Sequence, residues 1–357
     1  MDPRKKLTSL RKKIDDLDRH IIRFLNERAF IVKDVGRLKS RKGEGMYVPT
    51  REREIYENIL KENKGPLSDN ALKAIYREIM SSSLALEKNL KIAYLGPEAT
   101  FTHLAAIKKF GSQVEYTSCD SISEVFREVE ITRADYGVVP VENSTEGVVS
   151  HTLDMFINSD LKICSEVSLD ISHNLMSNSP LKSIKKVYSN PQVFGQCRIW
   201  LNAHLPGVEL IEVATTSKAA EIVSREKNAC AIASVLAAKK YKLKIIAKDI
   251  EDSATNITRF LVIGQNIPSP TTKDKTSIMF YIRDRVGALH DILSYFKKHG
   301  VNLTKIESRP SKRKAWDYYF FIDMLGHYQQ ADIKSVLKAI EKDCISLKVL
   351  GSYPVEM

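Results

Sequence analysis

The sequence predicts three successive folds: an all-α segment over residues 1–90, an α/β region over 91–266 and an α+β ferredoxin-like unit over 277–357. A linker occupies 267–276. Three observations predict this division. Apolar residues in the first segment recur at steps of three and four, with no strand signal between them. Short β-rich runs then alternate with amphipathic helical stretches. The final segment reads β-α-β-β-α-β.

The first segment opens with one long helix to about Lys39. Leu7, Leu10, Ile14, Leu17, Ile21 and Phe24, then Ile31, Val35 and Leu38, trace its apolar seam. The seam position between Phe24 and Ile31 is Arg28. A guanidinium in an apolar stripe is costly unless an anion meets it. Lys39 lies eleven residues on, about 20° around the same face and roughly 16 Å along the axis. Two such cations can grip one small dianion. Arg11 is about 25 Å from Arg28 on another azimuth, so it serves the same ligand only from a second copy of the chain. The simpler alternative is a bundle helix whose Arg28 reaches back to solvent. A loop through Gly43 and Gly45 precedes a second helix opening at Pro49. Lys64-Gly65-Pro66 stops it, and Ser68 caps a third helix running to about Lys88. A first helix near 50 Å long cannot cover its own seam, which predicts a dimer.

Charge and cysteine content narrow the class. Lys and Arg number 55 against 44 Asp and Glu, and residues 1–90 carry 21 of the cations against 14 acids. Without a helix-turn-helix, zinc spacing or RNA-binding aromatic motif, this basic balance points to anionic substrates rather than nucleic acid. Cys119, Cys164, Cys197, Cys230 and Cys344 are scattered, odd in number and without CxxC. They read as reduced thiols of a cytoplasmic protein, with no metal site. No signal peptide or membrane span is expected.

In the middle region strands are predicted at Lys91–Gly96, Tyr136–Glu142, Lys186–Ser189, Glu209–Ala214, Ala229–Ala233 and Thr258–Gly264. Hydroxyl- and amide-rich turns follow several of them: Gly96 to His103, Glu142 to Gly147, Ser189 to Gln196 and Thr215 to Ser217. A fifth cluster, Asp252 to Arg259, precedes the last strand. Ligands of open α/β sheets bind at strand carboxyl ends, where helix N-termini offer N–H groups to anions. Five such turns describe a neutral, hydrogen-bonding pocket for a carboxylate. Taken singly, each Ser, Thr or Asn is more readily a helix cap. Neither a Walker loop nor G-x-G-x-x-G is present, so no nucleotide or other cofactor is expected.

The C-terminal pattern places strands at Ser277–Ile282, Asn302–Ser308, Asp317–Leu325 and Ile345–Leu350, with helices at Ala288–His299 and Ala331–Lys342.

Specific motifs then carry a resemblance. Tyr-Leu-Gly-Pro-Glu-Ala-Thr-Phe (94–101), Pro-Val-Glu-Asn-Ser-Thr-Glu-Gly (140–147), Ser-Asn-Pro-Gln-Val-Phe-Gly-Gln-Cys (189–197) and Asn-Ile-Thr-Arg-Phe (256–260) resemble prephenate dehydratase motifs. Gly-Ala-Leu-His (287–290) and Glu-Ser-Arg-Pro (307–310) resemble the phenylalanine-binding motifs of ACT regulatory domains. Leu10-Arg11, Glu27-Arg28, Val35 to Lys39 and Val48 to Glu52 resemble the all-helical chorismate mutases. End to end, the chain resembles the bifunctional chorismate mutase/prephenate dehydratases. Ala99 departs from the glycine frequent in relatives.

The resemblance implies a helical mutase domain, a two-lobed dehydratase domain and an ACT domain, without cofactor. Chorismate would become prephenate, and prephenate phenylpyruvate, under feedback inhibition by L-phenylalanine. In the mutase site Arg28 and the partner subunit's Arg11 would bind the two substrate carboxylates. Lys39 would donate to the ether oxygen, Glu52 would accept from the ring hydroxyl, and Ser83 and Glu87 would complete the pocket. Backbone near Val48 contributes, and Arg51 anchors this layer. A glutamine often stands at the Glu87 position. A glutamate must be protonated to donate there, so mutase activity is expected to fall as pH rises. In the dehydratase site Thr258 holds the essential position, lined by Glu142, Asn143, Ser189 and Gln196. Glu142 is either an acid or a structural carboxylate. Phenylalanine would bind through Gly287, Ala288, Leu289 and His290 against Asn302, Leu303, Glu307, Ser308, Arg309 and Pro310, between two domains of a homodimer or homotetramer.

Two other readings compete. A two-lobed small-molecule receptor with an ACT domain would regulate rather than catalyse, but its dimer helix has no reason to keep Arg28, Lys39, Ser83 and Glu87. Nucleic-acid binding through the first helix would be steeply salt-dependent.

Overall fold

The computed structural model describes residues 3–42, 47–253, 255–311 and 317–356. The expected loop glycines Gly43 and Gly45, and Ala254 of the fifth turn, lie outside them. The chain divides into two compact units, Met1–Leu90 with Phe110–Glu115, and Lys91–Lys109 with Tyr116–Met357.

The first unit is helical: α1 (Pro3–Lys42), α2 (Pro49–Glu62) and α3 (Asp69–Glu87). Pro49 occupies the first turn of α2, where a missing N–H costs nothing. Ser68 caps α3 by accepting from the Ala71 amide. Helix α1 leaves its seam uncovered: Leu10, Ile14, Leu17, Ile21, Phe24 and Ile31 are each 48–66 % exposed. At Gly36 the helix comes so close to α3 that an added Cβ would lie 2.9 Å from the Glu87 side chain.

The second unit starts with β1 (Lys91–Leu95), α4 (Phe101–Phe110), β2 (Glu115–Cys119), α5 (Ile122–Glu130), β3 (Tyr136–Asn143), β4 (Gly147–Val148), α6 (Ser150–Asn158) and β5 (Lys162–Asp170). A second lobe follows: β6 (Asn174–Ser177), β7 (Lys186–Ser189), α7 (Pro191–Gln196), α8 (Arg198–His204), β8 (Glu209–Glu212), α9 (Thr216–Val223), β9 (Ala229–Ala233), α10 (Val235–Tyr241) and β10 (Lys244–Ala247). Strand β11 (Ile257–Gly264) returns to the first lobe. The C-terminal elements are β12 (Asp274–Tyr281), α11 (Ala288–Lys298), β13 (Leu303–Pro310), β14 (Tyr318–Leu325), α12 (Ala331–Asp343) and β15 (Ser346–Pro354).

Among the described residues these strands build two sheets. The smaller runs β10-β6-β9-β7-β8. The larger runs β13-β14-β12-β15-β5-β11-β3-β1-β2, so the C-terminal strands continue the sheet of the first lobe. The junction is the parallel pairing of Gly351 with Ile163. A Cβ on residue 351 would sit 2.3 Å from the Ile163 carbonyl oxygen, which makes glycine obligatory there. Separate apolar cores fill the first lobe around Phe126 and Phe156, the second around Ala231 and Cys197, and the C-terminal sheet beneath α11 and α12.

Five strands escape the sequence patterns: β2, the two-residue β4, β5, β6 and β10. Strand β12 also begins within the expected linker. The Asp274 carboxylate explains that start, accepting from the amide and hydroxyl of Thr271 at 2.6 Å each. A buried acid so satisfied sits in a strand as easily as in a loop.

Candidate active sites

In the helical unit two polar pairs join α1 to α3. The Arg28 guanidinium donates to the Ser83 hydroxyl, which itself donates to the Ile79 carbonyl at 2.8 Å. Lys39 Nζ lies 3.4 Å from Glu87 Oε2, with both side chains largely enclosed. Ser83 and Glu87 are one helical turn apart, so they present one face. The Glu52 carboxylate accepts from Tyr47 at 2.7 Å. The Val48 carbonyl accepts from the Glu52 amide at 3.1 Å, opening α2. Arg51 turns to solvent and pairs with Glu54 at 2.8 Å, so within one chain it does not join this group. Arg11 is exposed on α1, about 25 Å along the axis from Arg28.

In the second unit a cleft of about 510 Å³ opens between the two lobes. Thr100, Asn143, Asn190, Thr215, Asn256 and Thr258 line it, with neither lysine nor arginine among the lining residues. The N-terminal turns of α4 and α9 border it through Phe101 and Thr216. Ala99, before α4, has φ +69°. Its methyl group is buried in the apolar core and its amide donates to His103 Nδ1 at 3.1 Å.

One directed hydrogen-bond chain runs along the cleft wall. Asn143 Oδ1 accepts from the amides of Thr145 and Glu146, both at 2.9 Å. Backbone N–H groups only donate, so the Asn143 amide nitrogen must face the other way. It donates at 2.7 Å to Thr258 Oγ1 and at 2.7 Å to Asn256 Oδ1. Asn256 Nδ2 then donates to Gln196 Oε1 at 3.0 Å. Gln196 Oε1 also meets His173 Nε2 at 2.7 Å, which makes Nε2 the protonated nitrogen. Burial lowers the His173 pKa below its ordinary value, against the opposing pull of Gln196 and Glu251. The Thr258 oxygen thus receives a hydrogen bond, and among the described residues no acceptor takes its proton. The hydroxyl is left to donate into the cleft.

Two expected site residues do not line the cleft. Ser189 is fully buried and donates to the Ile232 carbonyl at 3.0 Å, tying β7 to β9. Glu142 points to the opposite face of β3 from Asn143, because successive strand residues alternate. There it meets Arg259 Nη1 at 3.0 Å and Lys305 Nζ. Burial pulls against ionisation, but Lys305 and then Arg259 hold this carboxyl below the usual range. It stays ionised, which fits the structural alternative rather than the acid.

Arg259 is the centre of that opposite face. It reaches Glu166 at 2.7 Å, Asp323 at 2.7 Å and the Tyr353 hydroxyl at 3.0 Å. Lys275 adds a contact to Glu166 at 2.8 Å. Burial works against its charge, yet Tyr353, Asp323 and Glu166 keep the guanidinium ionised.

The C-terminal motif residues occupy two elements. Gly287 takes φ +79° ahead of α11, a left-handed conformation suited to glycine. Ala288 and Leu289 begin the helix half-buried against the apolar core, and His290 is exposed. The Asn302 carbonyl accepts from the Leu325 amide at 3.0 Å, and Leu303 opens β13. Glu307 is half-buried, Ser308 and Pro310 are exposed, and Arg309 pairs with Asp154 at 3.1 Å.

Comparison with known proteins decides the family. Residues 10–88 match the family model for chorismate mutase type II, 92–268 that for prephenate dehydratase and 276–342 that for the ACT domain. The bifunctional chorismate mutase/prephenate dehydratase of Aquifex aeolicus (strain VF5) is 52% identical over 353 residues, spanning 98% of each chain. The chain belongs to the bifunctional chorismate mutase/prephenate dehydratase family. It is an enzyme of two activities, an isomerase and a lyase. A second such relative, from Pseudomonas aeruginosa, is 47% identical over 355 residues, 98% of this chain and 97% of its own. A solved prephenate dehydratase from Arthrobacter aurescens, in complex with L-Phe, superposes with TM-score 0.70 at 30% identity, covering 74% of this chain and 90% of that one. Among the described residues no helix is long and apolar enough to cross a membrane.

His173, Lys305, Glu166 and Asp323 are the site residues that sequence reasoning missed. Asp323 carried a signal, a lone acid inside Phe-Phe-Ile-Asp-Met-Leu, which calls for a buried partner. His173 carried none.

Proposed function

We propose that the Thr258 hydroxyl, oriented by Asn143, donates a hydrogen bond to the departing ring hydroxyl of prephenate. Loss of carbon dioxide sends the bonding pair into the ring as that C–O bond breaks, and aromatisation drives the reaction. A threonine hydroxyl is too weakly acidic to surrender its proton outright, so its value lies in placement. The single supporting observation is the Asn143 amide on Thr258 Oγ1, which leaves the hydroxyl proton facing the cleft. Helix N-termini at α4 and α9 suit the substrate carboxylates in a cleft without cationic side chains.

The mutase reaction is a unimolecular rearrangement that needs orientation and charge placement, not a nucleophile. Arg28 binds one carboxylate of chorismate beside Ser83. Lys39 and Glu87 face the ether oxygen, and Glu52 takes the ring hydroxyl. The exposed α1 seam supports a homodimer in which the partner subunit's Arg11 binds the other carboxylate. Burying each large seam side chain is worth about 1.5–3 kcal/mol, which gives association its driving force. Pairing through the C-terminal domains as well would build a tetramer. L-phenylalanine binds at residues 287–290, 302–303 and 307–310 and inhibits. The five free cysteines suit a reducing cytoplasm.

Chorismate supplied alone, with products followed by HPLC, tests this. Phenylpyruvate is the expected product. Accumulated prephenate would leave the Thr258 site without its assigned role, and unchanged chorismate would overturn both assignments.

A further inference from the structure

Strand β13 carries the ligand motif 307–310 and presents its side chains alternately. Leu303, Lys305, Glu307 and Arg309 are half-buried, while Thr304, Ile306, Ser308 and Pro310 are exposed. Two cations on the half-buried side leave the C-terminal sheet for the dehydratase lobe. Lys305 pairs with Glu142 of β3 and Arg309 with Asp154 of α6. Among the described residues the strand is a sheet edge, hydrogen-bonded to β14 alone. These two ion pairs tie its side chains directly to the lobe that holds the cleft.

We propose that Lys305 is a positioning residue for the dehydratase reaction, and that β13 couples amino-acid binding at 307–310 to the cleft through it. Cross-strand pairing supports the route. Thr258 is paired with Asn143 and Arg259 with Glu142 in the β11–β3 ladder. One face of that ladder carries the hydrogen bond that orients Thr258, and the other carries the ions. Arg259, Lys275 and Lys305 balance Glu142, Glu166 and Asp323 in one connected cluster. Without Lys305, three carboxylates share two cations. Glu142 is the one released, since its side chain is 32 % exposed against 4 % for Glu166 and 11 % for Asp323. Its backbone is continuous with Asn143, so its release disturbs the donor on Thr258. A ligand that moves β13 acts on the same lever, and such couplings typically change an affinity by 5–150-fold.

This inference rests on the dehydratase reading of the Thr258 cleft. Its test is Lys305→Met in the full chain, with prephenate turnover, KM, mutase rate and L-phenylalanine inhibition measured together. The expected result is a fall in dehydratase kcat of up to about 10²-fold, the cost of a misplaced catalytic group, with KM and the mutase rate retained. Half-inhibition by L-phenylalanine shifts severalfold, and Lys305→Arg recovers both. Wild-type dehydratase kcat and inhibition in Lys305→Met would overturn the inference alone. A wild-type chain that fails to turn over prephenate would overturn the underlying reading and this inference with it. Should Lys305→Met melt early, Asp154→Asn carries the test on the second tie. Its basal turnover is expected to stay unchanged while L-phenylalanine inhibition weakens severalfold. Unaltered inhibition in Asp154→Asn would overturn the coupling.

Discussion

Asn143 and Thr258 face each other across the β3–β11 ladder, and the Asn143 amide donates to the Thr258 hydroxyl oxygen at 2.7 Å. The orientation of that amide is set by two backbone N–H groups on its oxygen. The hydroxyl's direction is therefore a consequence of the turn after β3.

Replacing the amide tests this dependence. Asn143→Ala removes the donor and leaves the Thr145 and Glu146 amides without their acceptor. Dehydratase kcat is expected to fall roughly 10²-fold, and the melting free energy by about 1–3 kcal/mol. Steady-state kinetics and denaturant titration measure the two. Full turnover in a folded Asn143→Ala would show that Thr258 needs no orienting partner.

The acid side of the stability curve should show two successive losses. Burial lowers the His173 pKa from its ordinary 6.5, so the folded state favours the neutral ring. That stabilisation is complete above pH 6.5 and is lost as pH falls through the lower folded value. Glu142, held below its ordinary 4.5, keeps its contribution until pH drops past that value and then loses it. Melting curves of wild type and His173→Gln between pH 7.5 and 5 separate the first loss, which the variant should lack.

Glu87→Ala deletes the group that meets Lys39 at 3.4 Å, and the mutase kcat is expected to fall about 10²-fold with dehydratase turnover intact. Glu87→Gln keeps a hydrogen-bonding side chain and should stay largely active. An unchanged mutase rate in Glu87→Ala would remove Glu87 from the site.

The exposed α1 seam predicts mutase sites shared between subunits. Arg11→Ala and Arg28→Ala should each abolish mutase activity alone. Mixed after denaturation and refolding, they should recover up to about a quarter of the wild-type rate, because half the dimers then hold one intact site of two. No recovery would place both arginines on one chain's site.

Much of this architecture is legible in the residues, for identifiable reasons. Strands β7 and β9 match their sequence patterns because apolar runs there are bounded by turn residues. Strand β5 hides because Ser165 and Glu166 interrupt its apolar run, and only the buried Arg259 and Lys275 make a strand glutamate affordable. The site was legible as motifs but not as faces. Glu142 and Asn143 are neighbours in sequence, yet strand alternation sends one to the ion cluster and the other to the cleft. Ser189 likewise turns from the cleft, its hydroxyl donating to the Ile232 carbonyl of β9. His173 and Lys305 act through partners distant in sequence, and no local pattern marks them.

The central claim is that the Thr258 hydroxyl is the group that acts on the departing oxygen. Thr258→Val keeps the shape and deletes the hydroxyl, while Thr258→Ser keeps the hydroxyl. The measurement is prephenate turnover of both variants beside their mutase rates. Thr258→Val is expected to lose about 10²-fold or more in dehydratase kcat, with mutase activity intact and Thr258→Ser largely active. Retained turnover in Thr258→Val would contradict the account and reduce Thr258 to a strand-end contact.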